Sequence, residues 1–124
     1  MRVFATACSA TPKSSMSRDD AVYVGHMLDT ARKAVEKIDR TSRSAFDSDE
    51  NLRLALAYLI QIIGEAANRV SPRFREAHAD IPWSEIVGMR HKIVHDYLGV
   101  DYDIVWAVVT GDLPILVSRL DRLA

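Results

Sequence analysis

Apolar residues recur at helical spacing along most of this chain. Val22, Met27, Leu28, Ala31, Val35 and Ile38 fall near a 3.6-residue repeat, and Ser17 or Asp19 stands where a side-chain oxygen can cap a first turn. A first helix is predicted from Ser17 to about Arg40. The stretch 41–49 is polar except for Ala45 and Phe46 and predicts a loop. A second helix is predicted from Asp49 or Glu50 to about Val70. Its apolar residues, from Leu52 to Ala67, nearly circle the axis, which predicts burial on most sides and a second subunit over part of the surface. Gly64 in its middle predicts a close helix approach. Ser71-Pro72 ends this helix, because the residue before a proline is pushed away from helical angles, and a connector is expected through Ala79.

The third helix is predicted to start around Pro82, whose missing N–H a first turn tolerates, and to run to about Tyr97. Gly99 offers that helix a left-handed C-cap. Asp101 can cap a fourth helix through Ile104, Val105, Trp106, Val108 and Val109, which Pro114 must kink or restart near Gly111-Asp112. Trp83 and Trp106 read as core anchors, and His26 and His78 as solvated or partly packed. No stretch alternates at period two. The expected fold is therefore all-α, an antiparallel bundle of four to five helices that dimerises through helices. Residues 1–17 lack sustained periodicity and are expected to form a flexible N-terminal tail ahead of a helical domain at 18–124, with Met16 an alternative start of translation.

Composition narrows the class. The chain has 124 residues, 48% hydrophobic and 27% charged, which suits one folded domain and not a disordered segment. A formal charge of -1 gives no global basic field, so any nucleic-acid contact must come from a local patch. The single cysteine, Cys8, can form neither an intrachain disulfide nor a cysteine-based zinc site, so the cytoplasm is the expected compartment. The apolar run at the N-terminus is too short for an export signal, and no stretch is long enough to span a membrane.

Candidate chemistry gathers at Met89-Arg90-His91-Lys92-Ile93-Val94-His95-Asp96-Tyr97. Arginine presents a planar fork of donors suited to phosphate oxygens, and histidine titrates near neutral pH, so together they suffice for phosphodiester cleavage without a metal. Positions 90 and 95 would lie about 140° apart on a regular helix and roughly 7.5 Å along it, so one straight helix does not converge them. A working site needs the helix to loosen after about Val94, groups from a second subunit, or both. His91 and His95, four residues apart, could instead ligate zinc, but no Glu directly follows the first of them, and no metal or other cofactor is expected. Glu65, a carboxylate on an apolar helix, is expected to be buried and paired with a cation such as Arg90.

Arg90-His91-Lys92-Ile93-Val94-His95 resembles the Arg, spacer, His motif of HEPN ribonucleases, and the extension to Asp96-Tyr97 resembles the Arg-x4-His-x-Tyr form of HepT toxins. Ile63-Gly64-Glu65-Ala66-Ala67, Ile81-Pro82-Trp83, Ile86-Val87-Gly88-Met89-Arg90 and Tyr97-Leu98-Gly99-Val100-Asp101 also read like HepT sequences, so the likeness spans about residues 18–122. It implies a homodimeric, metal-independent endoribonuclease toxin whose Arg and His line a cleft between protomers. It also implies a partner antitoxin, a minimal nucleotidyltransferase that transfers AMP to the motif tyrosine. On this chain Arg90 would hold the phosphate, His95 would move the proton, and Tyr97 would be modified. His91 and Glu65 would be supporting residues, His91 at a position where the family varies. Two alternatives remain at this stage: a non-catalytic HEPN module that binds nucleotide or RNA or docks a nucleotidyltransferase, and a purely structural helical dimer.

Overall fold

The computed structural model describes residues 16–94 and 99–123, and these form an all-α bundle. Helix α1 (Arg18–Ile38) starts where the Ser17 hydroxyl accepts the Asp20 N–H at 3.1 Å, the expected cap. Its buried positions Val24, Met27, Leu28, Ala31, Ala34 and Ile38 form one stripe against the central helix and the C-terminal one.

The expected loop at 41–49 contains a helix, α2 (Arg43–Ser48). Three local devices make it: the Ser42 hydroxyl caps Ala45 N–H, Arg43 pairs with Asp47 one turn on, and Phe46 is fully buried. Arg43 also pairs with Asp103. Hydrogen bonds to Asp103 and then Asp47 push its pKa above the ordinary arginine value, and its guanidinium lies over Phe46 and Trp106. Trp106, half-buried, anchors the other side of Phe46 at 5.1 Å between ring centroids.

Helix α3 (Glu50–Arg69), capped by Asp49, is the hub and packs against α1, α2 and the later helical segments Trp83–Val87, Met89–Ile93 and Tyr102–Ala107. It buries Leu56, Ala57, Leu59, Ile60, Ile63, Gly64, Ala66 and Ala67, but Leu54 is 50% and Tyr58 64% exposed. Burial therefore covers most of its circumference and leaves one open stripe.

The expected connector to Ala79 likewise contains a helix, α4 (Pro72–Ala77), with Pro72 in its first turn and the Ser71 hydroxyl capping Phe74 N–H. Arg75 of α4 donates to the Val70 and Asn68 carbonyls, satisfying acceptors that the end of α3 would otherwise leave open. His78 is buried, not solvated, with its ring 4.3 Å from that of Phe74, and its carbonyl accepts the Trp83 indole N–H at 3.0 Å.

The expected third helix is two short ones. Helix α5 (Trp83–Val87) and helix α6 (Met89–Ile93) meet at Gly88, where ψ is 0°, and α6 ends with Val94 extended. Val94 forms an isolated antiparallel bridge with Val100, and Asp101 N–H donates to the Ile93 carbonyl at 2.6 Å. These bonds compete with further helix. Gly99 takes the left-handed geometry anticipated for it, φ +87°, but it does not cap the helix, which ends at Ile93 with Val94 as its C-cap. Asp101 caps helix α7 (Tyr102–Ala107) through the Asp103 and Ile104 N–H groups. A π-helical turn at Val108–Asp112 then leads into helix α8 (Leu113–Asp121). Pro114 explains that turn: its ring would collide with the carbonyl one α-turn back, and the wider i→i−5 spacing, with Leu113 N–H on the Val108 carbonyl, relieves it.

Candidate active site

Helix α6 is short, and its two faces differ. Met89 and Ile93, four residues apart, are buried and fix it to the core, so Arg90 and His91 must turn outward, where both are exposed. They face α3. A cleft of about 130 Å³ is lined by Gln61, Gly64, Glu65 and Asn68 of α3 together with Val87, Arg90 and His91.

The α3 positions in that wall are spaced i, i+3, i+4 and i+7, the spacing of one helix face. Gly64 lets the two walls meet: a Cβ built there would stand 2.9 Å from the Ile86 carbonyl oxygen, inside any normal contact. With no side chain in the way, α5 lies directly on α3, and α6, one residue later, carries Arg90 and His91 beside Gln61 and Asn68. The close approach expected of Gly64 is therefore present, and it shapes the cleft.

Sequence-predicted residues fare unequally. Arg90, His91 and Glu65 are brought together in one cleft. The role expected of Glu65 is corrected: its carboxylate is exposed, so no buried charge demands a partner, and it forms no ion pair with Arg90. An apolar helix need not be closed on all sides, and Glu65 lies on the same open stripe as Leu54 and Tyr58. The predicted catalytic His95 and modified Tyr97 lie outside the described residues. Their neighbour Val94 is extended, so the helix has ended by the residue near which loosening was one of the two expected routes to a working site. Gln61 and Asn68 were not anticipated, although their spacing from Gly64 and Glu65 already marks a polar seam on an apolar helix.

The arrangement suits an anion edge better than a whole ligand. Its volume is below the roughly 300–1,000 Å³ of ordinary small-molecule sites. The Arg90 guanidinium and the Gln61 and Asn68 amides offer N–H donors of the kind that grip phosphate oxygens. No cluster of three or more His, Cys, Asp or Glu side chains able to hold a metal ion occurs among the described residues, and no helix there is long and apolar enough to cross a membrane.

Comparison with known proteins gives a consistent result. The family model for ribonuclease HepT-like proteins matches residues 27–123. A candidate RNase of Caldanaerobacter subterraneus subsp. tengcongensis is 35% identical over 101 residues, covering 82% of this chain and 90% of that protein. A candidate RNase of Methanocaldococcus jannaschii is 32% identical over 104 residues, covering 84% and 95%. A candidate ribonuclease HepT of Thermococcus cleftensis is 33% identical over 100 residues, covering 77% and 91%. No solved structure matches the chain.

Proposed function

This chain belongs to the HepT-like ribonuclease family, and from that premise we propose that it is a metal-independent endoribonuclease acting as the toxin of a toxin–antitoxin pair. The observation that carries the proposal is the outward pairing of Arg90 and His91 over a small polar cleft, at the end of a helix that stops just before His95.

In this reaction Arg90 holds the scissile phosphate and neutralises charge developing on its oxygens. His95 takes the proton of the ribose 2′-hydroxyl or delivers one to the departing 5′-oxygen. The 2′-oxygen attacks the adjacent phosphorus, the bond to the 5′-oxygen breaks, and the products carry a 2′,3′-cyclic phosphate and a 5′-hydroxyl. His91 and Glu65 support the site from its walls. Two protomers face each other across the cleft, in the cytoplasm. The antitoxin is a minimal nucleotidyltransferase that attaches AMP to Tyr97, and a bulky anion there competes with RNA for Arg90.

The deciding experiment is cleavage of a labelled RNA in excess EDTA, beside the same strand with 2′-deoxyribose at the scissile position. Cleavage that resists chelation and spares the deoxy substrate is expected. Cleavage that stops on chelation would replace this chemistry with a metal-dependent one. Absence of cleavage would return the chain to a binding module.

A further inference from the structure

On the opposite flank of α3 lies a second and larger depression with no role so far. It runs between α1 and α3, holds about 370 Å³, and is lined by Tyr23, His26, Asp29, Ile62, Glu65 and Arg69 among others. Glu65 belongs to both walls, so this groove and the Arg90–His91 cleft are neighbours across one ridge of α3.

The lining has a definite chemistry. The half-buried Tyr23 ring has the Arg69 guanidinium carbon 6.0 Å from its centroid, and His26 meets it edge-on at 6.4 Å. A planar ring beside a guanidinium is the surface on which unstacked bases of single-stranded RNA settle. Asp29 and Glu65 are exposed carboxylates that set two negative charges against the one of Arg69. That balance repels a phosphate and favours a neutral group rich in N–H donors. Guanine presents adjacent N1–H and N2–H donors that match the two oxygens of one carboxylate. The volume falls within the range of small-ligand sites.

We propose that the α1–α3 groove is a base subsite that takes one unstacked nucleobase of single-stranded RNA, stacking it on Tyr23 and reading its N–H donors with Asp29 and Glu65, with guanine preferred. The proposal rests on the ribonuclease reading only in that the neighbouring phosphate is the one held at Arg90.

The test is binding of a fluorescein-labelled 2′-O-methyl hexanucleotide, which cannot be cleaved through its 2′-oxygen, containing one guanine among uridines. A second probe is abasic at the guanine position. Wild-type protein should bind the guanine probe about tenfold more tightly, as expected for one stacked base. The difference should vanish in Tyr23→Leu and shrink in Asp29→Asn, whose exposed side chain can change without disturbing the fold. Asp29→Asn should also raise KM for guanine-containing RNA while kcat stays within about twofold. Equal binding of both probes by wild type, as when a second copy or another protein fills the groove, would overturn the subsite, and so would a difference that survives both substitutions. Base-dependent binding without cleavage would sink the ribonuclease reading and leave the subsite standing; cleavage without base dependence would do the reverse.

Discussion

A Cβ on Gly64 of α3 would stand 2.9 Å from the carbonyl oxygen of Ile86 in α5, and 3.6 Å from that of Val87. The neighbour is backbone, so it cannot rotate aside as a side chain would. This contact sets the distance between α3 and the α5–α6 pair, and with it the position of Arg90 opposite Gln61 and Asn68.

Gly64→Ala should therefore destabilise the protein, although alanine is the better helix former. The gain in helix propensity is about 1 kcal/mol, whereas forcing a methyl against rigid packing costs about 1–3 kcal/mol. Strain against the Ile86 carbonyl lies at the upper end, so a net loss of about 1–2 kcal/mol is expected, with a Tm several degrees lower. RNA cleavage should fall further than the fraction unfolded explains, because the cleft widens. An unchanged or raised Tm would show that α5 yields freely.

A second prediction concerns Asp20, only 5% exposed, which accepts both the Ser71 N–H and the Ser71 hydroxyl at 2.8 Å and so ties the start of α1 to the junction of α3 and α4. Burial alone would raise its pKa, but the Ser71 bonds, with Ser17 helping, outweigh it and hold the carboxyl below its ordinary value. A depressed folded pKa means that this stabilisation is complete above the unfolded pKa of about 3.9 and disappears as pH falls through the folded value. Asp20→Ala should cost about 1–3 kcal/mol at pH 7 through lost charge-assisted hydrogen bonds. The gap between wild type and variant in urea denaturation should close towards pH 3. A gap independent of pH would assign the loss to packing alone.

Long elements and their ends were legible in the sequence because the devices that fix them are local. Ser17, Asp49 and Asp101 cap as their side chains allow, Pro114 imposes a restart, and Gly64 marks a close approach. Helices α2 and α4 were not legible, because six residues hold under two turns and one buried anchor each, Phe46 and Phe74, too little for a period to show. The break at Gly88 and the early end of α6 depend on contacts from elsewhere, the α3 surface and the bridge to Val100. Exposure of Glu65 was hidden for the same reason: a helix apolar almost all round does not reveal which stripe its neighbours leave open. Arg90 and His91 were found from residue type and order, while Gln61 and Asn68 show in the sequence only as a polar seam on an apolar helix and take on a role once α3 is set beside α6.

The open stripe of α3 motivates a third prediction. Leu54 and Tyr58, one turn apart and 50% and 64% exposed, form an apolar pair on the face that continues to Gln61 and Glu65. Sedimentation at micromolar concentration should give a homodimer, and Leu54→Asp combined with Tyr58→Asp should shift it to monomer with cleavage lost, since a buried interface does not tolerate two unpaired carboxylates. A wild-type monomer that cleaves RNA would overturn the shared cleft.

Tyr97 is the subject of the fourth. Co-expression with the proposed antitoxin, a minimal nucleotidyltransferase, should add the mass of one AMP moiety per protomer, and Tyr97→Phe should remove it. The modified protein should bind RNA weakly, because a phosphate held two residues beyond His95 competes for Arg90. An adduct that persists in Tyr97→Phe would place the acceptor elsewhere.

Catalysis itself gives the last prediction. Arg90 is exposed on a helix anchored by Met89 and Ile93, so replacing it leaves the core untouched. Arg90→Ala should lower kcat about 10²–10³-fold by removing a donor aimed at the developing phosphate charge, and His95→Ala about 10²–10⁴-fold by removing the proton carrier. His91→Ala should cost less, about tenfold, because the side chain supports the cleft wall without handling the proton. Arg90→Lys should recover only part of the loss: lysine restores the charge but not the planar fork that grips two oxygens at once. Circular dichroism should remain that of a folded helical protein throughout. If Arg90→Ala and His95→Ala cleave as fast as wild type, the chemistry lies elsewhere. If His91→Ala is the most damaging of the three, the proton carrier is the histidine on α6.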